Sequence, residues 1–267
     1  MKYILFILFL SVYHPLRAQR NYILINTEAL NFPVEKTISD HFGNVYFINN
    51  QQLTKIEAKT AKQYHYSNNK LGAISCIDVT DPLRILLYYK DFNQIIFVSN
   101  TLSEIGSPIL LDNIGMESTE LVCASKMGGF WLYDGRNSQL FYFDKNLQRI
   151  HQSLCISSIT ESNSIPVSLN EIGNNVYINF PDHGILVFDL YAGYNTLIPL
   201  VNVFDFQVIN EKIVYVESNI LIEYNPKNQM TEAFYLPDTT GVIHADVYHN
   251  RLFIFKKNSY SIYKIEE

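Results

Sequence analysis

Residues 120–146 read Glu120-Leu-Val-Cys-Ala-Ser-Lys-Met-Gly-Gly-Phe-Trp-Leu-Tyr-Asp-Gly-Arg-Asn-Ser-Gln-Leu-Phe-Tyr-Phe-Asp-Lys-Asn146. Three apolar runs, Glu120–Cys123, Phe130–Tyr133 and Leu140–Phe143, are separated by small and polar residues that suit tight turns. Aromatic and branched side chains pack well on a pleated surface, and turn formers between such runs are the signature of consecutive hairpins.

The same pattern recurs along the chain. Blocks equivalent to Phe130–Tyr133 stand at Val45-Tyr-Phe-Ile48, Ile85-Leu-Leu-Tyr88, Val176-Tyr-Ile178, Ile213-Val-Tyr-Val216 and Leu252-Phe-Ile-Phe255, with starts 37 to 46 residues apart. Each is followed by a polar turn and a second block, such as Ile95-Ile-Phe-Val98 or Ile185-Leu-Val-Phe188. A third, more polar block comes next, as in Gln63-Tyr-His-Tyr66 and Glu232-Ala-Phe-Tyr-Leu236. A short strand precedes each unit: Thr37–Asp40, Ala73–Ile77, Glu120–Cys123, Val167–Leu169, Phe204–Val208 and Val242–Ala245.

Four strands, A to D, repeated about every 40 residues, describe an all-β six-bladed β-propeller of four antiparallel strands per blade. Radial packing buries the faces that a lone sheet would expose and leaves only short edges. The sixth unit ends at Ile265 after its third strand, and Tyr22-Ile-Leu-Ile-Asn26 is a spare strand ahead of the first unit. The expectation is that this N-terminal strand closes the last blade, burying about three side chains at ~1.5–3 kcal/mol each. The competing architecture is an open β-sandwich or stack of meanders, which gives no reason for six units in register.

The chain has 267 residues, 48% hydrophobic, 14% aromatic and 17% charged, so it can fill a large core. Its formal net charge of −6 offers no basic field for nucleic acid. Residues 1–19 read as a secretory signal: Lys2, then an apolar run from Tyr3 to Tyr13, then Leu16-Arg-Ala-Gln19 as the cut. The run is too short to span a bilayer, and no second stretch of spanning length follows. A buried N-terminal strand or membrane anchor is the alternative. The expected organisation is signal peptide 1–19 and one propeller over 20–267, exported to the periplasm or associated with the outer membrane.

Asp40-His-Phe-Gly-Asn44-Val-Tyr46 and Gly128-Gly-Phe-Trp-Leu-Tyr-Asp134 resemble the divergent propellers of exported Gram-negative proteins, including ligand-sensing propellers of two-component regulators. The resemblance covers nearly all of the chain after residue 19. It implies a WD40-like fold and binding behaviour, and it brings no catalytic residues; the regulators' membrane segment and kinase do not occur in this sequence.

The sequence contains no nucleophile elbow, H-E-x-x-H, phosphate loop or EF-hand loop, and no cofactor is expected. Cys76, Cys123 and Cys155 lack zinc spacing. Cys76 and Cys123 lie in apolar stretches and read as buried free thiols, with a Cys123–Cys155 disulfide left open. His244 and His249 fall on opposite faces of an unbroken strand and make poor joint metal ligands. Asp40, Asp78 and Asp246, near the ends of A strands, read as satisfying turn amides and facing channel water, the alternative being a cation-holding ring. Trp131 reads as packing between blades rather than as a ligand platform.

In an up-and-down blade the B–C turns and D–A connections emerge on one face. The prominent connections, Leu111–Thr119 and Ser157–Ile165, would sit there beside Lys90, Asp91 and Phe92, then Arg136, then Asp182 and His183. This face is the expected partner-docking side, with Met116, Phe92 and Arg136 as anchors. Three functions fit: a non-enzymatic scaffold or accessory subunit binding an envelope protein or outer-membrane complex component; a small-ligand sensor; or a carboxylate-dependent lyase or glycan hydrolase. An enzyme should bring acidic residues together with His or Tyr near the axis, whereas a scaffold should present a broad surface patch.

Overall fold

The computed structural model describes residues 20–32, 34–49, 51–160 and 164–266. The signal-peptide reading of residues 1–19 lies outside them. Six four-stranded antiparallel sheets account for all the described strands. Blade 1 is β2 (Lys36–Ser39), β3 (Val45–Asn49), β4 (Gln52–Ile56) and β5 (Gln63–Ser67). Blade 2 is β6 (Cys76–Asp78), β7 (Ile85–Tyr89), β8 (Gln94–Val98) and β9 (Glu104–Leu110); blade 3 is β10 (Thr119–Ala124), β11 (Phe130–Asp134), β12 (Gln139–Phe143) and β13 (Arg149–Gln152). Blade 4 is β14 (Ser168–Ile172), β15 (Asn175–Phe180), β16 (Gly184–Asp189) and β17 (Tyr194–Ile198). Blade 5 is β18 (Gln207–Ile209), β19 (Lys212–Glu217), β20 (Ile220–Asn225) and β21 (Met230–Tyr235). Blade 6 joins β22 (Val242–Tyr248), β23 (Arg251–Lys256) and β24 (Ser259–Glu266) to β1 (Asn21–Ala29), from the other end of the chain.

The turns follow their residues. In blade 5, Asn210 and Glu211, then Ser218 and Asn219, carry positive φ in two-residue hairpin loops whose twist matches that of the flanking strands. Gly129 is required for a different reason: a Cβ there would stand 1.9 Å from the Phe143 carbonyl oxygen.

The apolar core is divided into six clusters, one in each cleft between neighbouring blades. Trp131, Tyr133 and Tyr142 of blade 3 pack with Val176, Ile178 and Phe188 of blade 4. Tyr46 and Leu53 meet Ile85 and Leu87 across the joint between blades 1 and 2, and Val45 and Phe47 meet Phe253 and Phe255 across the joint between blades 6 and 1. This is why the B and C strands read as near-continuous apolar runs: both of their faces are covered.

Every joint also carries a polar tie. The buried Lys55 donates to Asn100 O at 2.8 Å between blades 1 and 2. Asp78 accepts from Ala124 N at 2.8 Å between blades 2 and 3. Glu171 accepts from Lys126 N at 3.0 Å and Trp131 Nε1 at 2.7 Å between blades 3 and 4. Asn179 Nδ2 donates to Val203 O at 2.8 Å between blades 4 and 5, and Val247 N donates to Gln207 Oε1 at 2.7 Å between blades 5 and 6. Asp246 accepts from Ser39 N at 2.9 Å and Ser39 Oγ at 2.8 Å between blades 6 and 1.

This corrects the reading of the carboxylates. Asp40, Asp78 and Asp246 are buried and do not face channel water. Only Asp40 keeps its bonds within its own hairpin, accepting from Phe42 N, Asn44 N and Asn44 Nδ2 in the turn and from Tyr46 Oη on β3; Asp246 bonds to the neighbouring blade, and Asp78 divides its oxygens between its own turn, at Thr80 N, and the next blade. A buried carboxylate is tolerated where its lone pairs are met. Trp131 is fully buried between blades, as read, with its indole N–H taken by Glu171.

Closure by β1 occurs in the expected place, with Asn21 opposite Glu266, Ala29 opposite Ser259 and a bulge at Leu24–Asn26. Its energetics differ from expectation. Ile23, Leu24 and Ile25 are all about half exposed, and only Tyr22 packs against the blade 5–6 cluster. Backbone hydrogen bonds and one staple hold the strand: the Arg20 guanidinium lies 3.7 Å from the centre of the Phe234 ring and pairs with Glu223, both in blade 5.

Candidate functional site

The B–C turns and D–A connections share one face of the disc. In blade 2, Lys90–Phe92 forms a single 3-10 turn that stops at Asn93, which is left-handed at φ 45°. Asn93 then fastens the next D–A connection: its Nδ2 donates to Met116 O at 2.7 Å and its backbone carbonyl accepts from Leu111 N at 3.0 Å. That connection contains a second 3-10 turn, Leu111–Ile114. Lys90 is paired with Glu120, Asp91 is exposed beside Gly72, and Phe92 is 53% exposed.

Six of the seven sequence-derived residues form three groups. Lys90, Asp91 and Phe92 share the blade 2 turn. Arg136 is exposed on blade 3, with its Nη1 3.6 Å from Glu117 Oε2. Asp182 and His183 lie on blade 4, linked through Ser164, whose Oγ is 2.8 Å from Asp182 Oδ2 and 2.9 Å from His183 Nδ1. That hydroxyl holds the Asp182 carboxyl below its ordinary range. Met116 is the exception. Its side chain is buried in the cluster between blades 2 and 3, so it supports the connection from beneath and is not a surface anchor. The Leu111–Ile114 turn folds the segment back onto the core and takes Met116 with it.

A second feature of this face was missed in the sequence. Between blades 5 and 6 a cavity of about 370 Å³ is enclosed by Asn202–Gln207, by Val214–Asn219 and by Val242–Ala245. Phe204–Val208 reads as a strand, but β18 begins at Gln207, so Phe204, Asp205 and Phe206 form loop wall. On one side of the cavity His244 Nε2 lies 2.9 Å from Asp246 Oδ1 and its Nδ1 lies 3.2 Å from Asp205 Oδ2. The ring also stacks on Phe255. Burial disfavours the charged imidazolium, but the carboxylates of Asp246 and Asp205 outweigh it and raise its pKa from 6.5 to about 9. Burial likewise works against the Asp246 anion, and His244 with the Ser39 donors brings its pKa below the usual value.

His244 is therefore protonated at neutral pH with both ring nitrogens engaged, so it carries no lone pair to act as a general base. Acidic residues do converge with a histidine here, but the histidine serves as a structural cation. Among the described residues no group of three or more His, Cys, Asp or Glu is arranged to hold a metal ion, and no helix is long and apolar enough to cross a membrane. All three cysteines are free thiols: Cys123 is buried, Cys76 half-buried and Cys155 exposed.

The chain is a six-bladed β-propeller. No family model matches it, and no curated protein matches it in sequence. Solved structures share its fold. Virginiamycin B lyase from Staphylococcus aureus aligns with a TM-score of 0.65 at 9% identity, over 91% of this chain and 99% of that one. The Pan2 WD40 domain of Neurospora crassa aligns at 0.58 and 9% identity, over 94% and 97%. PorZ, a bacterial surface component of the type-IX secretion system of Porphyromonas gingivalis, aligns at 0.50 and 12% identity, over 87% of this chain and 33% of that one. At such identities the likeness is one of fold.

Proposed function

We propose that the protein is an exported, non-enzymatic propeller that binds a protein of the cell envelope, as scaffold or accessory subunit, through the face carrying the B–C turns and D–A connections. The observation that carries this reading is where exposed apolar side chains gather. Phe92, Leu110, Leu154, Ile165, Val167, Val201, Phe204 and Ile243 all open on this face, with Leu154 at 88% and Ile165 at 73% exposure. The opposite face has Phe42, Leu83, Met127 and Tyr191 on its turns. Apolar side chains gathered on one side mark an interaction surface. A protein role agrees with the fold, since PorZ is itself a surface component of a secretion system. Export rests on the charged start and apolar run of residues 1–19.

The test is capture from envelope membranes with the purified protein, identified by mass spectrometry. Arg136→Glu combined with Phe92→Ala should abolish capture and leave the melting temperature unchanged, because both side chains are exposed. Unchanged capture rejects the site. A second reading, small-ligand sensing, is favoured by the cavity between blades 5 and 6.

A further inference from the structure

The cavity between blades 5 and 6 has an unusual composition. Of its sixteen lining residues none is Lys or Arg, while Asp205 and Glu217 both stand on its wall and are exposed. Phe204, 67% exposed, is the aromatic wall, and Ile243 extends the apolar rim, whereas Phe206 and Tyr215 pack into the cluster between blades 4 and 5. The one cation present, His244, is already held between Asp205 and Asp246. Asp205 and Glu217 line the cavity while Asp246 lies behind it, buried against Ser39, so two lining carboxylates stand against one imidazolium beside the Phe204 ring.

The same molecule shows what such a combination accommodates. On the outer edge of blade 5, Arg20 lies 3.7 Å from the centre of the Phe234 ring while pairing with Glu223. On blade 2, Arg84 lies 3.5 Å from the centre of the Phe97 ring. A guanidinium is planar and weakly hydrated, so it can stack on a ring and donate to a carboxylate together; an ammonium is compact and strongly hydrated. Phe204, Asp205 and Glu217 offer both partners in a cavity large enough for the group and its alkyl stem.

We infer that this cavity is a binding site for a guanidinium group, either a free small molecule or an arginine side chain presented by a partner. The inference rests on the cavity and not on the docking reading above: binding here with no partner captured would leave it standing.

The experiment titrates the purified protein with n-butylguanidinium by calorimetry, with n-butylammonium in parallel. The expected result is saturable binding of the guanidinium, weaker binding of the ammonium, and a loss of about fivefold or more in each of Glu217→Gln and Phe204→Ala. Glu211→Gln, at the exposed A–B turn of blade 5 on the opposite face, should change nothing. No binding at millimolar ligand, equal binding of the ammonium, or an affinity unaffected by both cavity variants would overturn it. An N-acetyl-arginine-amide arm separates the sources: tighter binding than n-butylguanidinium assigns the site to a partner's arginine, and weaker binding assigns it to a free ligand.

Discussion

The joint between blades 6 and 1 makes the protein's stability depend on one proton. In the folded state His244 has a pKa of about 9, against 6.5 for an unperturbed histidine. Its ring is mostly buried, at 20% side-chain exposure, so solvent screening removes little of the effect. A folded-state pKa above the unfolded one means the stabilisation is complete below pH 6.5. It falls as pH rises from there through about 9. At about 1.4 kcal/mol per pKa unit, the difference corresponds to on the order of 3 kcal/mol. A second route gives a similar figure: removing one partner of a buried ion pair typically costs about 3–5 kcal/mol. Asp246 carries the complementary sign, since its lowered pKa adds stability above the ordinary carboxylate range that is lost as pH falls through it. The two shifts describe one interaction and are counted once.

Urea denaturation at pH 6 and at pH 9.5, followed by tryptophan fluorescence and circular dichroism, measures the effect. The wild type should lose on the order of 3 kcal/mol between the two conditions. His244→Gln should start lower at pH 6 and show a much flatter profile. The difference between the two proteins isolates this group from every other pH-dependent contribution. Parallel profiles for wild type and His244→Gln between pH 6.5 and 9 would refute the argument.

Two further outcomes follow from the packing. Trp131→Phe keeps an aromatic ring in the joint between blades 3 and 4 but takes the 2.7 Å donor from Glu171. It should lower stability by about 2 kcal/mol, measured by thermal melting, and a melt within a degree of wild type would show that the tie carries no weight. Cys155 is exposed, and its pKa is lowered by the hydroxyl and amide of Ser157; burial pushes Cys76 up to about 12 and Cys123 well above the ordinary value. One thiol per chain should therefore react quickly with a disulfide reagent in native buffer, and the other two only after unfolding; a native protein with no fast thiol would restore a Cys123–Cys155 bridge.

Blade number, strand order and the closing strand were legible because they rest on period-2 apolar runs and turn residues, which are local signals. Burial of both faces made the B and C strands conspicuous. The A strands were harder: Phe204–Val208 alternates like a strand, but only Gln207–Ile209 pairs, and the misreading concealed the cavity wall. The carboxylates illustrate a second limit. Asp40 and Asp78 occupy similar places at the ends of A strands, yet Asp40 bonds only within its own hairpin while Asp78 also reaches the next blade. That distinction depends on the distance across a joint, which no spacing along the chain encodes. Met116 was misplaced for the same reason, since a 3-10 turn of four residues leaves little periodicity to detect.

The way β1 is held has a consequence for how the ring comes together. Its register partners lie more than two hundred residues further along, at Ser259–Glu266, and it contributes little burial of its own. Of the two paired strands, β1 is made well before β24 and must therefore wait for it, carrying three adjacent aliphatic side chains in the meantime. Ring closure is thereby tied to the synthesis of β24, and until then the edge of β1 stays unpaired.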